Sequence, residues 1–148
     1  MGNADLELRQ KAGGFDKDGN PLQLRNATCL FNDLQTDHTD PFKPGAISEW
    51  ESIAGKLAAL EEDFPTGLAE QVEAELEQTL EVAKFSVSRA IARRRSNRLT
   101  NEQKREFKKH MESIIEEHRR MWLLRSRPGG LDDSCAYYQK IIDEMDGK

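Results

Sequence analysis

The sequence predicts an all-α fold: an antiparallel bundle of three to four helices with a long central hairpin, preceded by an irregular, turn-rich N-terminal segment. Five of the ten glycines and three of the five prolines fall within residues 1–45. From residue 46 onward, apolar residues recur at three- and four-residue steps, which is the period of an amphipathic helix. We therefore divide the chain into a lead-in segment, residues 1–45, and a helical bundle domain, residues 46–148.

The first helix of the bundle is expected to begin at Ser48. Ser48 and Glu51 have the spacing of a capping box, in which each side chain satisfies a free backbone N–H group of the first turn. The helix should end before Pro65, because the residue before a proline disfavours helical geometry. Its apolar face comprises Trp50, Ile53, Leu57, Leu60 and Phe64.

The second and third helices are expected to form the central hairpin. The second runs from about Thr66 to about Arg98, and Thr100 with Gln103 is the capping box of the third. So short a connection between two long amphipathic helices predicts an antiparallel pair. The inner face of the second helix comprises Leu68, Val72, Leu76, Leu80, Ala83, Val87 and Ile91. The inner face of the third comprises Phe107, Met111, Ile114, Ile115, His118, Trp122 and Arg125.

A fourth helix is expected after the Pro-Gly-Gly break at residues 128–130. Proline and glycine there end the third helix, because neither residue favours a helix interior. The fourth helix begins near Asp132. Its apolar stripe comprises Cys135, Tyr138, Ile141, Ile142 and Met145.

The charges of the hairpin are segregated along the chain. Residues 48–83 carry ten acidic side chains and one basic, a sum of −9, whereas residues 84–109 carry ten basic and two acidic, a sum of +8. This order suits the macrodipole of the second helix at both of its ends. It also predicts a basic tip where the second and third helices meet, comprising Arg89, Arg93, Arg94, Arg95, Arg98, Lys104 and Arg105.

A basic tip of this kind can bind phosphate groups. Phe107 is the only aromatic residue between Arg89 and Lys109, however, and the helical period turns it inward. Bases of a single strand would therefore find no aromatic surface on which to stack. We expect a solvated end of the bundle or a surface docked on an acidic neighbour, and we favour a nucleic-acid partner less.

The sequence contains no pattern typical of a membrane protein or a secreted one. No apolar run approaches the ~20 residues that span a bilayer, and no signal peptide is visible. With Cys29 and Cys135 alone, the chain can form at most one disulfide. We assign it to the cytoplasm or leave its compartment open, with no membrane partner.

No catalytic motif or set of metal ligands stands out, so we expect no catalytic residue, no metal and no cofactor. Residues 15–21 have a calcium-loop spacing but lack its glycine and final glutamate, which favours a simple turn. His38 lies between two aspartates, and a capped turn is the expected structure there. His118 falls on an apolar face and is expected to be a hydrogen-bonded core histidine, without the helical ligand repeats of a metal bundle.

Two segments resemble known proteins. The first is Trp122-Leu123-x-Arg125-x-Arg127-Pro128-Gly129-Gly130-Leu131. It resembles a segment near the C-terminus of bacterial family 20 glycoside hydrolases, the exo-β-N-acetylhexosaminidases, whose catalytic barrel is followed by an all-α domain. The second, Asn26-Ala27-Thr28-Cys29-Leu30-Phe31-Asn32-Asp33, is similar to the stretch that leads from that barrel into the helices. Ala27 departs from the family's pattern, which has proline there.

The resemblance implies a part of an enzyme rather than an enzyme. The family's catalysis depends on an Asp-Glu pair at the end of a barrel strand, and 148 residues are too few for a barrel of about 250. Asp143-Glu144 is the one Asp-Glu here, and it is expected on the polar side of the last helix. We do not transfer the catalytic role to it.

We therefore expect a non-catalytic helical C-terminal domain of a β-N-acetylhexosaminidase-like glycoside hydrolase. It would pack on the catalytic barrel or on a second copy of itself as a dimer. The residues expected at such an interface are Trp50, Trp122, Arg125, Arg127 and Leu131. The alternatives are a stand-alone helical protein-interaction or dimerisation module and, less favoured, a nucleic-acid-binding bundle.

Overall fold

The computed structural model describes Asp33, Leu34, Thr36 and His38 of the lead-in, followed by residues 45–96 and 98–147. In this part of the chain the regular structure is helical, with no strand. The prediction of an all-α fold is confirmed. The helices are α1 (Ile47–Glu62), α2 (Glu70–Arg95), α3 (Asn101–Arg125) and α4 (Leu131–Asp146). None of them is long and apolar enough to cross a membrane.

Each helix packs against the next along the chain. The pairs Glu75–Arg125 between α2 and α3, and Lys108–Asp146 with Arg119–Asp132 between α3 and α4, show that these neighbours are antiparallel. Between α1 and α2, Glu61 pairs with Lys84 and Glu51 pairs with Arg95, so the two helices run in opposite directions. Between α2 and α3, the rings of Phe85 and Phe107 meet edge to face with centroids 5.6 Å apart. The central hairpin predicted from the short connection is confirmed.

The core lies toward the end of the bundle where α2 meets α3. Its main cluster takes residues from α2, α3, α4 and the lead-in: Leu34, Phe85, Leu99, Met111, Ile114, Ile141, Ile142 and Met145. A smaller cluster joins α1 to α2 and comprises Trp50, Val87 and Ala90. Leu34 is 2% exposed, so the described part of the lead-in contributes a core residue.

The predicted start is confirmed for α3 and wrong for α1. The Thr100 hydroxyl accepts from the Gln103 N–H at 3.1 Å, and the Gln103 side chain accepts from the Thr100 N–H at 2.9 Å. In α1 the N-cap is Ala46, and its N–H donates to Glu49 Oε2 at 2.7 Å. Glu49 satisfies that donor from within the first turn, so the helix begins ahead of Ser48 with no hydroxyl at the cap.

The apolar faces predicted for α1 and α2 are only partly buried. In α1, Trp50 is buried whereas Ile53 and Leu60 are exposed. The second helix begins at Glu70, later than Thr66, and ends at Arg95. Since the last turn of α1 pairs with Lys84 through Glu61, the first turns of α2 extend beyond α1.

The fourth helix matches its prediction closely. It begins at Leu131, one residue before Asp132, and Cys135, Ile141, Ile142 and Met145 of the predicted stripe are buried. Cys135 is a free thiol, and burial raises its pKa. The turn predicted at residues 15–21, Cys29 and residues 26–32 of the second resembling segment lie outside the described residues.

Candidate functional site

The most unusual feature of the molecule is a pair of buried arginines on α2. Arg89 and Arg93 are one helical turn apart on one face, and they are 1% and 0% exposed. They follow Phe85 at four-residue steps, so the face that carries a core phenylalanine continues as guanidinium groups. Charged side chains are rarely this buried unless they are paired, and both of these have acidic partners.

Asp33 of the lead-in gathers three arginines. Its Oδ1 accepts from Arg93 Nη1 at 3.0 Å and from both terminal nitrogens of Arg94 at 3.1 Å. Its backbone oxygen accepts from Arg89 Nη1 at 3.1 Å. The Asp33 carboxylate is itself fully buried, so this ion pair is shielded from water and salt. Charge-assisted bonds of this kind are the strong ones in proteins.

Glu144 of α4 completes the arrangement from the other side. Its Oε2 accepts from Arg89 Nη2 at 2.5 Å, and its Oε1 accepts from the backbone N–H of His38 at 2.7 Å. Arg89 Nη2 also donates to the carbonyl of Thr36 at 2.6 Å. The lead-in, α2 and α4 are thus held together by one set of hydrogen bonds. We call this set, formed by Asp33, Thr36, His38, Arg89, Arg93, Arg94 and Glu144, the buried joint.

His38 is the titratable imidazole of the joint. Its ring lies in the interior, where Nε2 is 3.2 Å from the carbonyl oxygen of Ser96. Burial lowers the pKa of His38, and the charges of Arg89 and Arg93 lower it further, while Glu144 and the Ser96 carbonyl oppose the shift. A neutral ring with the proton on Nε2 fits this environment, because that nitrogen then donates to Ser96.

Arg94 extends the joint to α1. Its guanidinium carbon lies 4.4 Å from the ring centroid of Trp50, a cation–π contact, and its Nε donates to the carbonyl of Gly45 at 3.2 Å. Gly45 has a φ of +79°, and a Cβ there would lie 2.8 Å from the Trp50 indole nitrogen. The turn before α1 therefore needs glycine, and Trp50 belongs to the structural support of the joint.

The expectation of a solvated basic tip is wrong for Arg89 and Arg93, and in part for Arg94. These three arginines neutralise carboxylates of the same chain, so phosphate groups cannot reach the two that are fully buried. Arg95 is exposed and pairs with Glu51. The remaining members are exposed or half-buried at the α2–α3 connection: Arg98, Lys104 and Arg105.

Two of the five residues expected at an interface belong to the core. Trp50 is 4% exposed and Leu131 is 7% exposed, so neither side chain is free to meet a partner. Arg125 is exposed and pairs with Glu75 of α2. Arg127 is exposed, and its side chain makes no hydrogen bond or ion pair within the described part of the chain.

Trp122 has a structural task at the corner between α3 and α4. Its indole N–H donates to the carbonyl of Arg127 at 2.9 Å, which fixes the chain directly ahead of the Pro-Gly-Gly break. The corner then turns through Gly130, whose φ is +82°. His118 packs against Trp122 with ring centroids 5.8 Å apart, and its Nε2 lies 2.9 Å from Ser134 Oγ. The hydrogen bond expected of a core histidine is therefore present, but the residue is half-buried.

The joint was not anticipated from the sequence, although one signal was present. Arg89 and Arg93 share their helical line with Phe85, which places them on a core-facing row. Asp33 and Glu144 carried no comparable mark, because their partners lie 60 and 55 residues away along the chain. Among the described residues, no group of three or more histidine, cysteine, aspartate or glutamate side chains is placed to hold a metal ion.

No protein-family model, curated protein or solved structure matches this chain.

Proposed function

We propose that this chain is a non-catalytic helical domain, held in a fixed orientation on the polypeptide that precedes it, like the all-α domain behind the barrel of family 20 glycoside hydrolases. The buried joint is the observation that carries this proposal. Asp33 ends the segment that resembles the exit from the barrel, and three arginines of α2 bind it. A segment anchored in this way would fix the orientation of the bundle relative to the polypeptide that precedes it.

The chemistry of the joint supports a rigid connection rather than a tether. Domain linkers are usually exposed and leave the two domains free to move relative to each other. Here, withdrawing Asp33 would leave the guanidinium groups of Arg93 and Arg94 without its carboxylate, which is costly for buried charges. A domain that has to keep its place against a catalytic barrel gains from such a connection.

The first resembling segment, residues 122–131, supports the same proposal. Trp122 and Gly130 shape the corner between α3 and α4, while Arg127 points outward without a partner in the described residues. Arg125 and Arg127, with the exposed part of Trp122, therefore stay as the candidates for contact with the barrel. Arginine suits interface ion pairs because its planar fork binds carboxylates in a bidentate manner.

The acid required for glycoside hydrolysis would come from the barrel. Glu144 of the one Asp-Glu pair does not lie on a polar outer face, because both of its oxygens accept hydrogen bonds inside the joint. This corrects the expectation from the sequence. With both of its oxygens engaged by Arg89 and the His38 N–H group, the Glu144 side chain is not placed to reach a substrate.

Reading the DNA on the 5′ side of this coding segment tests the proposal directly. We expect a frame that encodes a parallel barrel with an Asp-Glu pair at a strand end. In that complete polypeptide, Asp33→Ala should lower the temperature at which hexosaminidase activity is lost, and it should leave kcat/KM unchanged well below that temperature. Arg95→Met should change neither quantity. An upstream frame without a barrel contradicts the proposal.

One observation favours the alternative of a stand-alone interaction module. The first turns of α2 present apolar side chains that nothing in the described structure covers. A module of that kind needs no upstream barrel and would associate with a partner or with a second copy. The upstream frame separates the two functions, and a molar mass from light scattering tests dimerisation.

A further inference from the structure

The first half of α2 carries an apolar stripe that the rest of the bundle leaves open. Val72 and Leu76 are four residues apart on one face of α2 and are 37% and 40% exposed, and Leu68 of the preceding turn is 40% exposed. The same line continues to Leu80, which is buried. The stripe is thus an extension of a core-facing row beyond the point where α1 ends.

The surroundings of the stripe are acidic. Residues 61–81 contain eight acidic side chains and no basic one. Three of the eight take part in ion pairs: Glu61 and Glu81 with Lys84, and Glu75 with Arg125. The other five make no ion pair within the described part of the chain, and they are Glu62, Asp63, Glu70, Glu73 and Glu77.

We propose that this stripe and its acidic flanks are the docking surface for a basic amphipathic helix of another protein. An amphipathic helix buries its apolar face in such a groove through side chains at three- and four-residue spacing. Lysines and arginines beside that face would meet Glu73 and Glu77 of α2. Opposite charges at the rim would raise the rate of encounter and reject acidic competitors.

A second copy of this chain fits the same surface poorly. A two-fold dimer brings identical patches of the two subunits together. Since residues 61–81 contain no basic residue, Glu73 and its neighbours would face their own copies across the interface. Like charges placed opposite one another oppose association, so the charge pattern selects a partner of the other sign.

The inference goes beyond the proposed function and does not depend on it. A helix can dock on α2 whether or not a barrel precedes the chain. The upstream reading frame tests the first proposal, and a binding titration tests the second. A negative result in one of these two experiments does not contradict the other proposal.

The test is a fluorescence anisotropy titration of the full chain against a labelled synthetic helix of about 18 residues. The peptide has leucines on one face and lysines on the other. We expect saturable binding that weakens when NaCl is raised from about 50 to about 300 mM. The same peptide with glutamate in place of lysine should not bind.

Substitutions on the chain then locate the site. Val72→Gln with Leu76→Gln should weaken binding by about tenfold, since the lost apolar contact is worth roughly one such factor. Glu73→Gln with Glu77→Gln should weaken it at low salt. The matched controls are Ile53→Gln, similarly exposed on α1, and Glu102→Gln with Glu106→Gln on α3. Neither control should change binding by more than about twofold.

Every outcome bears on the proposal. Each variant should keep its helix content, which circular dichroism measures, because glutamine is a better helix former than valine and about as good as leucine. Absence of peptide binding by the native chain overturns the proposal, as does binding that the stripe variants leave unchanged. A dimer in light scattering that the stripe variants abolish would assign the surface to a second copy and overturn it equally.

Discussion

The buried joint requires the charge of the Asp33 carboxylate to be removed from water. Removing a charge from water costs several kcal/mol, and a buried pair repays that cost only when geometry and additional hydrogen bonds are good. Asp33 meets that condition at Oδ1, which accepts from Arg93 and from both terminal nitrogens of Arg94, and at its carbonyl, which accepts from Arg89. Its Oδ2 is buried and accepts no hydrogen bond from the described residues. Loss of this side chain would leave the arginines without their main counter-charge.

Asp33→Ala is therefore expected to lower the free energy of unfolding by about 3 kcal/mol or more. Urea unfolding followed by circular dichroism measures the change. Arg95→Met is the matched control, because Arg95 forms an exposed pair with Glu51 and such pairs contribute about 0–1 kcal/mol. Equal losses in the two variants would show that the buried pair has no special weight.

His38 should make the stability depend on pH. Its pKa is held below the ordinary value of 6.5 in the folded protein, through burial and the charges of Arg89 and Arg93 against the opposing Glu144. As the pH falls below 6.5, the unfolded chain takes up the proton first, so the free energy of unfolding declines until the folded pKa is reached.

The measurement is the free energy of unfolding of the native protein minus that of His38→Gln, taken from about pH 7.5 to about pH 5. We expect this difference to be constant at the upper end and to fall toward the lower end. Carboxylates and His118, whose pKa burial also lowers, cancel in the subtraction. A flat difference would mean that His38 titrates alike in both states.

Individual residues were predictable where the signal was local. His118 lies on the apolar row of α3, as the helical period indicated, although its partner Ser134 on α4 was not predicted. The partners of Arg89 and Glu144 come from distant parts of the chain, and no periodic pattern encodes such a pair. Charge runs are also ambiguous, because the same arginines can be solvated or can neutralise a buried carboxylate.

At the scale of elements, the corner between α3 and α4 depends on one backbone conformation. Gly130 has a φ of +82°, whereas Gly129 beside it has no such constraint. Gly130→Ala should cost roughly 1–2 kcal/mol of stability, which is the penalty of left-handed geometry for a residue with a Cβ. Gly129→Ala should stay within about 0.5 kcal/mol.

Thermal or urea unfolding of the two alanine variants compares them directly. A Cβ at Gly129 would meet no atom within 4 Å, and one at Gly130 would make only an ordinary contact with the Trp122 ring at 3.7 Å. Steric clash is therefore absent from both positions, and the backbone angle accounts for the expected difference. Identical stabilities would refute that account.

The elements themselves were well predicted, and their ends and faces less so. Thr100 and Gln103 form the predicted capping box because both side chains that the motif requires are present in the sequence. At α1, the Glu49 side chain accepts a hydrogen bond from the Ala46 N–H group. This contact was not predicted, because the spacing of Ser48 and Glu51 matched the capping-box motif better. Periodicity marked Val72 and Leu76 as interior, but it carries no information on how far the neighbouring helix reaches.

At the scale of the whole molecule, the charge segregation is partly internal. The sums of −9 and +8 along the hairpin predicted a strongly basic tip. Arg89, Arg93 and Arg94 direct their charge inward to Asp33 and Glu144, so the outer surface of that tip is less positive than the sequence indicates. The acidic stretch at the start of α2 keeps most of its charge outside, which leaves it the more distinctive surface.

The chain by itself should not hydrolyse a chromogenic N-acetyl-β-hexosaminide. Both oxygens of Glu144 accept hydrogen bonds inside the buried joint, from Arg89 and from the His38 N–H group, so this side chain is not placed to act on a substrate. A known hexosaminidase added to the same assay is the positive control. Turnover by the chain that is lost in Glu144→Gln would overturn both this expectation and the assignment of catalysis to a barrel.

The joint also bears on the order in which the molecule assembles. Asp33 meets Arg93 across 60 residues and His38 meets Glu144 across 106, whereas each helix pairs with its neighbour along the chain. Contacts distant in sequence close late, because they carry the entropy of a long loop. The helical hairpins should therefore form first and Asp33 should dock last, so that the charges of Asp33, Arg89 and Arg93 are the final ones in the buried joint to leave water.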